Sequence, residues 1–376
     1  MIRRIVFTCM LLAAAAPASA GVVNPDISMV GQPFIRWTDD ESDPAHKRPT
    51  LNLGEVEGVF DAYLNPYAHG TFILSIADGG VEVEEGYFQL LRGLPGGLAV
   101  KGGKYRAGFG KLNPQHPHAV PFAERFRVLS YLPGDEALNE VGVSLSERIP
   151  MPGDFSLTAT GDWLQGDSYR IERESSGDPS DPLETNPDAD RAAEPRPAVL
   201  GRLAGFGQIS DRSGYELGIS ATQGTNNVAA GARTRVIGGD AKFKLWTGAF
   251  SYLILQGEVL HLDRDDAAWD PTAVAYTTAK AKATGGYFYA DYNFKIRYNL
   301  GAGFERFQDP TPDQTSNTAF KVFAGYSLLE ETTAFRLDWD HFMPGTPTGV
   351  TVAPPDVNTV TMRVIFSMGP HKAHQF

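Results

Sequence analysis

The sequence predicts an all-β fold: a transmembrane antiparallel β-barrel of about sixteen strands, its third extracellular loop folded inward. Three observations predict it. Runs alternating apolar and polar residues recur along the chain. The polar faces of those runs carry charges. Long and short connections alternate between the runs. A period of two is the signature of a strand whose two faces meet different surroundings. Outer-membrane barrels pair short periplasmic turns with longer outside loops and use an even number of strands.

The chain opens MIRRIVFTCMLLAAAAPASA. Arg3 and Arg4, the apolar stretch from Ile5 to Ala16 and Ala18-Ser19-Ala20 form the three parts of a secretory leader, residues 1–20, with cleavage expected near Ala20. A single barrel domain then covers 21–376. Cys9 is the only cysteine and lies in the leader, so no disulfide is expected in the mature chain. Loss of Arg3 and Arg4 takes the formal net charge from -12 by two to -14. Beyond residue 20 no apolar run is long enough for a membrane-spanning helix. The chain has 40 Gly, 14 Tyr and 22 Phe, a composition suited to barrel strands with aromatic girdles.

The last strand shows the pattern most plainly. In TVTMRVIFSM, Val360, Met362, Val364, Phe366 and Met368 share the apolar face; Thr361, Arg363 and Ser367 lie opposite, with Ile365 among them. In TTAFRLDWDHF, Phe335, Leu337 and Trp339 oppose Arg336, Asp338 and Asp340. GYELGISA, GGDAKFKLW and KIRYNLGAGFE alternate likewise. Counted back from the C-terminus, FMPGTPTGVTVAPPDVN, QDPTPDQTSN and DRDDAAWDPTAVAYTT are expected as long connections, and SLLEE and SDRSG as short ones. The connection over 165–197 is expected to be a long extracellular loop, and 369–376 a His-containing tail. A barrel of this size leaves an aqueous lumen unless something fills it. The connection over 107–139 carries Phe122, Phe126, Val128, Leu129, Tyr131 and Leu132, too apolar to stand in water, and is expected inside the barrel.

The stretch GKYRAGFGKLNPQHPHAVPF, with GDEALNEVGVSL after it, resembles a group of outer-membrane porin-like proteins related to the phosphate-selective porins. Some members of that group are labelled zinc-regulated outer-membrane receptors. NPDISMVGQ, VEVEEGYFQL and the ending GPHKAHQF match as well, so the resemblance covers residues 24–150 and the C-terminus. It implies a β-barrel pore. The 33 basic against 45 acidic residues weigh against phosphate as the solute, because phosphate selectivity depends on lysine and arginine ladders.

Charged residues on lumen faces and on the inserted loop are the candidate constriction. His116, His118, Glu124, Arg125 and Arg127 lie on the loop. Glu55, Glu57 and Asp61 share one face of an early strand, and Lys104, Arg106, Arg336, Asp338 and Asp340 lie on others. Opposed charges across a constriction set a transverse field that orients polar solutes. His116 and His118, joined by His371 and His374 of the tail, are candidate metal ligands, which makes zinc the one cofactor under consideration.

No G-x-S-x-G elbow and no H-E-x-x-H motif occurs, so no enzyme is expected. The expectation is a channel for passive diffusion of small polar or charged solutes in the outer membrane of a Gram-negative bacterium. Its partners would be outer-membrane lipid, the solutes, the barrel-insertion machinery reading Phe366 or Phe376, and two further copies in a homotrimer; nucleic acid is not among them. Two alternatives stand beside it: a plugged receptor or zinc-uptake barrel, and an exported soluble β-sandwich binding protein.

Overall fold

The computed structural model describes residues 25–77, 79–133, 137–170, 189–270, 272–329 and 332–369. The leader, residues 171–188 of the long loop and the tail from 370, with His371, His374 and Phe376, lie outside the described residues. Every strand pairs antiparallel with its neighbours, and the first pairs with the last, so the sheet closes on itself. A single closed sheet replaces the exported β-sandwich alternative, which needs two packed sheets.

Two strands are interrupted. β1 runs Asp26–Gly31 and resumes as Phe34–Thr38; β2 runs Thr50–Asn52 and resumes as Val56–Asn65. Proline has no N–H to give a ladder, and β1 breaks at Gln32-Pro33. Gly54 answers this break from β2: its φ is +66°, and a Cβ there would lie 2.3 Å from the Gln32 carbonyl oxygen. The Pro33 carbonyl still accepts from Val364 N–H at 2.9 Å, which carries the seam across the gap.

The other strands are β3 Ala68–Ala77, β4 Gly80–Leu90, β5 Leu98–Arg106, β6 Asn139–Pro150 and β7 Phe155–Leu164. After the long loop come β8 Ala198–Gln208, β9 Gly214–Asn227, β10 Ala232–Gly248, β11 Ser251–Asp270 and β12 Ala275–Phe294. β13 Tyr298–Gln308, β14 Ser316–Leu329, β15 Thr333–Met343 and β16 Val357–Met368 complete the barrel. With each interrupted strand taken as one, the described residues form sixteen strands.

The period of two sorts the side chains as expected. On β16, Thr359, Thr361, Arg363 and Ile365 are buried, while Met362, Phe366 and Met368 are exposed. On β15, Asp338 and Asp340 are buried and Leu337 and Trp339 exposed. The exposed face is a continuous apolar surface that includes Val143, Trp163, Val199, Ile219, Val259, Phe288 and Leu300.

One expected connection is strand instead. Residues 263–270 and 275–278 of DRDDAAWDPTAVAYTT pair from Asp263↔Lys282 to Asp270↔Ala275, leaving only 271–274 as the turn. β11 and β12 therefore reach 20 residues each. Beyond the apolar band neither face meets a core, so alternation no longer marks the strand. Cross-strand ion pairs mark it: Lys280 Nζ lies 2.5 Å from Asp265 and Lys282 Nζ 3.6 Å from Asp263. One turn on the long-connection side, residues 78–79 between β3 and β4, is also short.

In lipid vesicles, Leu337→Arg is expected to destabilise the barrel by about 2–4 kcal/mol, the cost of a charge on the lipid face of such a barrel. Urea unfolding checks it; an unchanged midpoint would show that this face does not meet hydrocarbon.

Candidate functional site: the loop inside the barrel

Between β5 and β6 the chain leaves the wall at Ala107 and returns at Leu138. Asn113, fully buried, ties the neck of this loop: its Nδ2 donates to the carbonyls of Ala107 (2.6 Å) and Leu138 (3.1 Å), and its Oδ1 accepts from Leu138 N–H. Ala107 N–H closes the neck on the Leu138 carbonyl.

The loop touches strands all round the barrel. Lys111 and Leu112 donate backbone N–H groups to Glu258 on β11, each at 2.8 Å. Val128 N–H and Arg127 donate to Glu305 on β13, and Arg127 also pairs with Asp340 on β15. The carbonyls of Val120 and Ala123 accept from Arg336 on β15 and Arg363 on β16. His116 and His118 face β2 and β4. A segment that reaches all these strands of a closed sheet lies within it.

Apolar packing supplies the adhesion. Phe126 stacks on Tyr287 at 4.3 Å, and Phe122 meets Tyr289 edge-on at 5.3 Å and Phe323 at 5.8 Å. Phe122, Phe126, Val128 and Leu132 are essentially fully buried among Tyr287, Tyr289, Phe307 and Phe323. Each such side chain contributes about 1.5–3 kcal/mol. Gly110 fits where a side chain cannot: its φ is +60°, and a Cβ would lie 2.0 Å from Glu258 Oε2.

The histidine corner depends on a β-bulge. Ile73 pairs with Glu85 and Leu74 with Val83, so Glu84 is the extra residue, and both glutamates become buried. His116 Nε2 lies 2.8 Å from Glu85 Oε1; its Nδ1 lies 3.3 Å from both Glu57 Oε2 and Glu84 Oε1. His118 Nδ1 is 2.9 Å from Glu57 Oε1, and Arg106 pairs with Glu84. Burial pushes the His116 pKa down, but the Glu84, Glu85 and Glu57 carboxylates around the ring outweigh it and raise it to about 10.

The candidate residues thus fall into groups. His116, His118, Glu57 and Arg106 meet in one corner, with Glu84 and Glu85 completing it. Arg127 and Asp340 meet at the opposite anchor together with Lys321. Arg336 holds a loop carbonyl, and Asp338 is buried on the same strand. Arg125 donates to the Gln115 carbonyl, and Glu124 is exposed. Glu55 accepts from Ser75, and Asp61 pairs with Thr71 and His69.

Lys104 is a correction. It alternates with Tyr105, whose hydroxyl reaches inward-facing Asp162 at 2.8 Å. It therefore falls on the outer face, opposite Gly86, with Nζ on the Val83 carbonyl. Lys101, on the Tyr105 side and over the Tyr87 and Tyr105 rings, is the inward lysine of that strand. Sequence reasoning also missed the carboxylate anchors Glu258 and Glu305, and Glu140, which accepts from the N–H groups of Gly166 and Ser168.

No family model matches the chain. A protein of Aquifex aeolicus (strain VF5), described only as uncharacterized, is 31% identical over 265 residues, 67% of this chain and 53% of its own length. The chain therefore spans about half the length of that curated relative. Among solved structures, a loop-deletion mutant of OmpT, an outer membrane protein of Vibrio cholerae, superposes with a TM-score of 0.57 at 11% identity, over 93% of this chain and 100% of that one. The fold is that of the outer-membrane porins. The anion-selective porin from Comamonas acidovorans gives 0.55 at 11% identity over 92% and 100%, and the outer membrane channel DcaP of Acinetobacter baumannii gives 0.57 at 9% over 93% and 99%.

Glu258→Ala leaves the N–H groups of half-buried Lys111 and buried Leu112 without an acceptor and is expected to cost about 3 kcal/mol. Gly110→Ala should act in the same direction. Urea midpoints of the detergent-folded barrel check both, with outward-facing Glu147→Ala as the control; midpoints equal to the control would show that Glu258 does not hold the loop.

Proposed function

We propose that the chain is an outer-membrane channel through which small polar and charged solutes diffuse, past a loop that occupies only part of the lumen. One observation carries the reading. The loop is fastened to β2, β4, β9, β11–β13, β15 and β16, while the inward residues Ser146, Thr158 and Thr160 of β6 and β7 stay half-exposed. Hydroxyls left open along one wall belong beside water; a packed plug would have to satisfy or bury them.

The continuous outward apolar surface suits the hydrocarbon of an outer membrane. Inward Lys101 and Arg148 lie beside the hydroxyl wall, and Glu124 projects from the loop, so the remaining passage carries both signs of charge. We place the chain near the phosphate-selective porin group on its sequence motifs, without assigning it phosphate. A trimer is proposed because one solved form of the Vibrio OmpT is a trimer. Phe366, outward with its ring against Gly31, is the terminal-strand aromatic proposed for the insertion machinery.

The plugged-receptor reading draws on a different observation, the number of charged anchors on the loop. Single-channel conductance of the folded protein in a planar bilayer separates the two. A steady open conductance is expected, and Lys101→Glu should shift the reversal potential in a salt gradient towards cations. Silence from a correctly folded barrel would favour the plugged receptor.

A further inference from the structure

The corner where the loop meets β2 and β4 is more than a set of ion pairs. Three carboxylates, Glu57, Glu84 and Glu85, crowd around a single guanidinium, Arg106, and the ring of His116. The carboxylates outnumber the guanidinium by two charges. Glu57 and Glu84 expose 0% and 1% of their side chains, so water does little to offset that excess.

The geometry of the donors is specific. His116 Nε2 is satisfied by Glu85. Its Nδ1 faces oxygens of Glu57 and Glu84, both at 3.3 Å, yet has no hydrogen-bond partner among the described residues. Glu84 Oε2 is likewise buried with no hydrogen-bond partner among them. One donor atom from each of Glu57, Glu84 and His116 lies within 4.8 Å of the other two. A tetrahedral ion with bonds of about 2.0–2.1 Å sets its donors about 3.3 Å apart, which is the spacing found on both sides of Nδ1.

Each donor is also backed by a second group. Glu85 orients the His116 ring, Arg106 donates to Glu84 Oε1, the oxygen that faces Nδ1, and His118 Nδ1 holds the Glu57 oxygen turned away from His116. Metal-bound histidines and carboxylates are oriented by such outer partners.

We propose that Glu57, Glu84 and His116 bind one divalent transition-metal ion, which ties the inserted loop to β2 and β4. Binding releases the His116 proton, and the dication then cancels the two negative charges by which the carboxylates outnumber Arg106. One imidazole and two carboxylates with a fourth position left for water suit zinc or a similar ion. Calcium, which takes six to eight oxygens, is excluded by the small donor set and by the nitrogen. The site lies at the base of the loop corner, so the ion fixes where the loop stands in the lumen. The inference rests on the folded loop and not on the channel reading.

The test uses the full mature chain folded in detergent, stripped with a chelator and titrated with Co2+ and then Zn2+. Wild type is expected to take up one equivalent of Co2+ with the visible absorption of a tetrahedral site, and Zn2+ should displace it. His116→Ala and Glu57→Gln should abolish the absorption. Glu85→Gln, which only orients the ring, should weaken binding by about 10–100-fold. Circular dichroism and heat-modifiable migration identify any variant that fails to fold, and the wild-type titration stands without them. Absence of a stoichiometric tetrahedral signal from wild type would overturn the proposal. So would binding unchanged in folded His116→Ala, or a preference for Ca2+. Conductance plays no part in this readout, so failure here leaves the channel proposal untouched.

Discussion

Carboxylates turned inward from the wall and bonded to the backbone of inserted chain are the interaction on which the lumen depends. A loop brought into a barrel carries N–H groups that must find acceptors, and the wall supplies them. Glu258 takes two from Lys111 and Leu112, Glu305 takes one from Val128, and Glu140 takes two from Gly166 and Ser168. Removing such an acceptor is costlier than the mean worth of a hydrogen bond, because the donors stay buried. The basic residues work in reverse, with Arg336 and Arg363 donating to loop carbonyls. The acidic balance of the chain thus has a structural use inside the barrel as well as any electrostatic one in the passage.

Apolar contacts and polar anchors divide the labour. Phe122 and Phe126 against Tyr287, Tyr289 and Phe323 provide adhesion without direction. The carboxylates fix register, since each pair of N–H groups meets its acceptor at only one placement. Gly110 shows how tight that placement is, because its missing side chain is the space Glu258 occupies.

Much of the barrel was legible because two different environments impose a period of two. Val360 to Met368 and Arg336 to Asp340 sort onto the faces their alternation indicates. The inserted loop was legible from composition, since Phe122, Phe126 and Leu132 needed cover. The outer part of the β11–β12 hairpin was not, because with water on both sides nothing selects which residues alternate. The pairing of Glu84 and Glu85 in one corner was hidden as well: a bulge breaks parity, and no local residue announces it. Lys104 failed for a related reason, since Tyr105 and not Lys104 takes the inward position. Glu258 and Glu305 read in sequence like any other charge on a wetted face; only the chain that folds back against them distinguishes them.

The extended hairpin has a consequence for how anything approaches the barrel. At about 3.4 Å per residue, strands of 20 residues measure about 68 Å along their axes. An apolar band about 25 Å tall, crossed at a tilt of about 40°, uses roughly half of that. The remainder stands clear of the bilayer as a rigid palisade on one side of the rim, braced by the cross-strand pairs of Asp263 and Asp265 with Lys280 and Lys282. A molecule arriving from that side meets a charged fence, whereas across the mouth the β3–β4 turn is only two residues long and leaves the rim low. Among the described residues, approach to the mouth is thereby directional, with the tall hairpin on one side and the low rim on the other.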